Sequence, residues 1–145
     1  MANLRVCVDA SLVVKLVVEE VYSSEARALW RGWQHEGRDI AAPPLLRYEI
    51  ASVLRKHVAC GLRTAAESRQ ALELALTFDI QYIELANFHR RAFDLADRLS
   101  RPTAYDAHYL ALAEHLVCDF WTADERLVNA VHSVLLWVKW LGKQS

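Results

Sequence analysis

The chain has 145 residues, a formal net charge of -1, hydrophobic side chains at 54% of positions and only four Gly and three Pro. That length fits one domain, residues 1–145, with a core of its own, and that composition excludes a disordered or collagen-like chain. A net charge near zero gives no global field that attracts nucleic acid, so a polyanion would have to be held by a local basic patch or by metal.

Cys7, Cys60 and Cys118 are odd in number and far apart, with no C-x-x-C spacing, which argues against a zinc site. They read as buried thiols in a reducing cytosol. The first apolar run carries Asp9 and no clear cleavage site, so it does not fit a signal peptide. Other apolar runs are too short or too charged to span a bilayer. The expected location is cytoplasmic.

Leu4 to Val8 is apolar and β-branched, as in a buried central strand that ends at Asp9. Ser11 to Glu20 suits a short helix, and Ser23 to His35 a second one, with Ala26, Leu29, Trp30 and Trp33 at helical spacing and Gly37 closing it. Asp39 to Ala42 reads as a second strand stopped by Pro43-Pro44. The segment from Leu45 predicts a strong helix ending at Gly61. Thr64 to Asp79 predicts another, opened by a Thr64-x-x-Glu67 capping box, with Ala71, Leu72, Leu74, Ala75 and Phe78 inward.

Gln81 to Leu85 reads as a third strand, followed by a helix from Asn87 to Ser100 whose apolar surface comes from Phe88, Ala92, Phe93, Leu95, Ala96 and Leu99. After Pro102 come a helix over Asp106 to His115, a strand over Cys118 to Thr122 and a helix over Asp124 to Val131. Val134 to Val138 is the expected fifth strand. Strands that alternate with helices of this length imply a parallel sheet covered on both faces, because parallel neighbours need crossover connections.

In such a sheet ligands bind beyond the carboxyl ends of the strands, near the point where strand order reverses. Asp9 and Asp124 follow apolar strands, Asp106 begins the helix before the last of these, and Glu49 lies early in the helix after the second strand. Four carboxylates can therefore converge on one mouth. Without a cation their charges would oppose one another, and an all-oxygen set favours Mg²⁺ or Mn²⁺. Each acid also has a structural reading. Asp9 and Asp124 are in N-cap positions, Thr103-x-x-Asp106 and Thr122-x-x-Glu125 have capping-box spacing, and Glu49 could face solvent beside Arg47 and Lys56.

VDAS from Val8, Glu49 after APPLL, YDAHYLALAE from Tyr105 and WTADERL from Trp121 together resemble the PIN domain, in particular the VapC-like toxins of toxin-antitoxin pairs. The likeness runs in order over essentially the whole chain. It implies an α/β/α sandwich with a mostly parallel sheet of four to five strands, and a Mg²⁺ or Mn²⁺ dependent endoribonuclease. The implied products carry a 5′-phosphate and a 3′-hydroxyl. On this resemblance Asp9, Asp106 and Asp124 bind metal, Glu49 binds metal or orients the attacking water, and Ser11 and Thr122 are the supporting hydroxyl positions. A homodimer and a small VapB-like antitoxin that blocks the acidic cleft are the implied partners. Ser52 stands where many relatives carry Asn.

Lys15, Arg47, Arg55 and Lys56 are candidates for RNA phosphates or solvated helix faces, and the five Trp for base stacking or core packing. The six His show no ligand-like pairing, and His108 lies on a different helix face from Asp106. Two other kinds of function remain open: an inactive or solitary member of the same fold, and a phosphatase.

Overall fold

A computed structural model describes residues 4–142. The elements in chain order are β1 (Arg5–Val8), α1 (Ala10–Val17), α2 (Ser23–His35), β2 (Asp39–Ala42), α3 (Leu45–Ala59) and α4 (Ala65–Leu76). They continue as β3 (Gln81–Tyr82), α5 (Phe88–Arg98), α6 (Tyr105–Leu116), β4 (Asp119–Thr122), α7 (Glu125–Val131) and β5 (Val138–Trp140). All five strands are parallel, in the order β3-β2-β1-β4-β5. The chain first moves outward from β1 to β3 and then returns to lay β4 on the other side of β1. With right-handed crossovers, that reversal sends the early and late helices to opposite faces, giving an α/β/α sandwich.

Strand β1 is central and almost wholly buried, which is why its sequence runs apolar rather than alternating. The faces can be told apart at β4, where Phe120 stacks on Tyr109 of α6 and Trp121 meets Trp33 of α2. Helix α1 packs against α2, α3 and α4, while α6 lies on β1 and β4 with α5 beside it. Trp30 and Trp33 belong to the core, and Trp121, Trp137 and Trp140 pack against it half-buried. None of the described helices is long and apolar enough to cross a membrane.

Local rules held at several ends. Thr64 and Glu67 form the capping box of α4, and Gly37 and Gly61 carry the positive φ angles, 69° and 78°, that follow α2 and α3. Others failed. The fifth strand is Val138–Trp140 rather than Val134 to Val138: Val134 and Leu135 bond back to Val131 in a turn, and bonding to β4 begins at Trp137 O, with Val138 the first residue in register. Strand β3 is two residues long, Leu74 and Phe93 face solvent, and Cys60 is exposed where α3 ends, so only Cys7 and Cys118 are buried thiols.

Candidate functional site

The strand reversal lies between β1 and β4, and there the two ladders deliver Asp9 and Asp124. Val8 pairs with Trp121, so one step further along the same direction Asp9 comes beside Thr122. The Thr122 hydroxyl donates to Asp9 Oδ2 at 2.5 Å, while Asp9 Oδ1 accepts from the Ser11 hydroxyl at 2.7 Å and from Leu12 N–H at 3.2 Å. The last bond makes Asp9 the N-cap of α1, so its structural and site positions coincide. Ser11 Oγ in turn accepts from Ala123 N–H at 3.0 Å, and Thr122 Oγ1 from Asp124 N–H at 3.0 Å. These hydroxyls tie the ends of β1 and β4 together.

Thr122 is therefore not the capping residue that its spacing to Glu125 suggests. Asp124 caps α7 instead, with Oδ1 accepting from Arg126 N–H and Leu127 N–H. Thr103 caps nothing either: Ala104 is the N-cap of α6 and offers no side-chain bond, and Asp106 sits in the first turn with Oδ2 3.5 Å from Arg101 Nη2. Glu49 turns away from Arg47 and Lys56. Its Oε1 accepts from the Tyr109 hydroxyl at 2.5 Å.

All four acids, with Ser11, Lys15, Glu20, Tyr109 and a few apolar groups, line one cleft of about 300 Å³. Burial pushes the Asp9 carboxyl up to about 7 against the pull of its three hydrogen bonds, and the charge of Asp106 adds to the rise. Burial likewise raises Glu49, opposed by the Tyr109 bond and helped by Asp106. Asp106 is raised by burial and by Asp124, with Arg101 pulling the other way. Negative charge is being held at a cost. Among the described residues no three acidic, His or Cys groups stand close enough to grip an ion as they are. Yet Glu49 Oε2, Asp106 Oδ1 and Asp124 Oδ2 accept no bond from the described residues, and the chemistry of such an all-oxygen set suits a hard divalent cation.

Tyr109 escaped sequence reasoning, although it lies three residues after Asp106 and so shares that helix face. Of the four basic candidates only Lys15 lines this cleft. Arg47 lies over the Tyr82 ring, Arg55 lines a shallow groove between α3 and α4, and Lys56 is exposed. Ser52 is exposed and takes no part in the cleft. His89 and His108 share a hydrogen bond of 3.0 Å, a pairing their spacing did not announce, beside a separate apolar hollow.

A doubly wound parallel sheet with carboxylates from four separate segments at its switch point defines an acid-cleft α/β protein. The PIN domain model matches residues 6–132, and the chain belongs to that family. Among its relatives it is 34% identical to Ribonuclease VapC3 of Pyrobaculum aerophilum over 87% of this chain and 94% of that protein. It is 31% identical to VapC ribonuclease Mb0985 of Mycobacterium bovis over 84% and 87%. The crystal structure of PAE2754 from Pyrobaculum aerophilum shares the fold with a TM-score of 0.65 and 23% identity, covering 97% of this chain and 98% of that one.

Proposed function

We propose that this protein is a divalent-metal-dependent endoribonuclease and the toxin of a VapBC-type pair. The observation that carries the proposal is the meeting of Asp9, Glu49, Asp106 and Asp124, drawn from four separate segments, in one cleft. That relatives over most of the chain bear the name ribonuclease supports it.

Asp9, Asp106, Asp124 and Glu49 would hold Mg²⁺ or Mn²⁺, which supplies a more acidic water and charge neutralisation at the phosphate. The chain's own residues do the rest. Ser11 and Thr122 fix both oxygens of Asp9, so that carboxylate cannot rotate as RNA binds. Tyr109 holds one oxygen of Glu49 and leaves Oε2 either to join the metal's ligands or to orient the attacking water and take its proton. Arg101 steadies Asp106 from behind, and Asp124 is held by the first turn of α7.

The test is cleavage of single-stranded RNA with Mg²⁺, with EDTA and with Asp106→Asn, with end-labelling to read the 5′-phosphate and 3′-hydroxyl. Cleavage that survives both EDTA and the substitution would remove the mechanism. A short reading frame for a DNA-binding antitoxin beside this gene supports the toxin assignment, and its absence would favour a solitary nuclease. Sedimentation velocity checks the homodimer implied by the resemblance. The spacing of the acids favours one second reading, a binding-only member of the fold. Mn²⁺ titration followed by electron paramagnetic resonance separates the two, because a binding-only chain need not take up Mn²⁺ at the acids whereas the nuclease must.

A further inference from the structure

The cleft is lined by five carboxylates, those of the four acids and Glu20, and among its lining residues Lys15 is the one cation. A phosphodiester chain entering it meets repulsion everywhere except at Lys15 and wherever metal is held. Lys15 stands in the last turn of α1, four residues after Ser11 and on the same helix face, so it is about 6 Å further along the wall from the Asp9 end. Its side chain is only 14% exposed, and its ammonium lies 3.1 Å from Glu20 Oε1.

Glu20 is itself held in place. Its backbone N–H donates to Ser23 Oγ, and the buried Ser23 hydroxyl donates to Val18 O, each at 3.0 Å, which pins the turn after α1. The Lys15 side chain is mostly covered by the protein, and its ammonium is paired with a part-exposed anion that it can exchange or share. An ammonium has three donors, so it can reach a phosphate oxygen while still bonded to Glu20.

Resting on the ribonuclease reading, we infer that Lys15 is a phosphate-binding residue of the cleft, which Glu20 holds until it grips the RNA phosphate next to the one that is cut. Lys15 places the strand along α1 and takes no part in the bond cleavage.

The test is fluorescence anisotropy of an end-labelled, unstructured single-stranded RNA, titrated across a salt series with Ca²⁺ in place of Mg²⁺ and with gels confirming that the RNA stays intact. One phosphate contact on a single strand contributes about 0.7 to the slope of log affinity against log salt. Lys15→Met should make the slope shallower by about 0.7, so that between 50 and 200 mM salt it loses about 2.6-fold less affinity than the parent. Lys15→Arg should keep the slope, and Glu20→Gln should bind RNA several-fold tighter. In turnover with Mg²⁺, Lys15→Met should raise KM with kcat little changed. An unchanged slope in Lys15→Met, a slope lost equally in Lys15→Arg, or no gain in Glu20→Gln overturns the assignment. Failure of the ribonuclease reading shows differently, as RNA left intact by the parent chain in Mg²⁺ while the binding slopes are still measured.

Discussion

Asp9 links stability, pH and metal in a way that can be measured without any RNA. Its carboxyl is buried, and burial pushes it up to about 7 from the ordinary carboxylate range. Between about pH 4 and pH 7 the folded chain holds a proton there that the unfolded chain releases, so stability falls as pH rises and the full cost is present above pH 7. About two units of that rise are traversed between pH 5 and pH 8, which corresponds to about 2.7 kcal/mol, and with 2–4 °C per kcal/mol for chains of this size the melting temperature in EDTA should fall by roughly 5–11 °C over that interval. Glu49 and Asp106 are raised too and push in the same direction. Asp9→Asn should flatten most of this slope, because the neutral amide retains an acceptor for Leu12 and Ser11 and removes the charge. Mn²⁺ should raise the melting temperature more at pH 8, where the acids are ionised, than at pH 5, where protons compete. Thermal melts by circular dichroism over this range decide the matter. A metal-free melting temperature that is flat or rises with pH, or an Asp9→Asn variant with the parent's slope, would refute the account of a strained carboxylate.

Glu49→Gln should lower RNA cleavage by 10²-fold or more if Glu49 takes the water's proton, with the fold unchanged by circular dichroism. Tyr109→Phe removes the bond that pulls Glu49 down, so its carboxyl should rise further and the acid limb of the pH profile of kcat/KM should move to higher pH. Ser11→Ala leaves Ala123 N–H without its partner and Asp9 with one donor fewer, and should cost about 1–3 kcal/mol in denaturant melts together with much of the activity. Thr64→Ala, remote from the cleft, should cost about 1 kcal/mol through the lost cap of α4 and leave RNA cleavage untouched.

What the sequence made legible follows the reach of each physical rule. The β1 run, the Thr64 box and the two glycines depend on neighbours within a few residues, and they came out as expected. Val134 to Val138 failed because an apolar run of five cannot say whether it pairs or turns, and here the bonds back to Val131 won over the ladder. Phe93 and Leu74 failed because a helix face is chosen by the partner packed against it, which periodicity does not name.

The site divides along the same line. Asp9 and Asp124 could be placed at one edge from their position after strands, and both are N-caps through Oδ1 while also lining the cleft, so the cap role does not compete with the ligand role proposed for them. Only the capping-box reading of Thr122 fails, since its hydroxyl goes to Asp9, 113 residues away, rather than to the start of α7. Tyr109 was out of reach for the converse reason, since its partner Glu49 lies 60 residues away and only the tertiary packing supplies it. The Lys15–Glu20 pair is local, five residues apart, yet it depends on the turn that ends α1, which the pattern of charges does not specify. The strand reversal at β1 and β4 is thus more than scaffolding. It brings together charges that local sequence keeps apart, and the raised carboxyls of Asp9, Glu49 and Asp106 register first their burial there and then the neighbouring acid's charge.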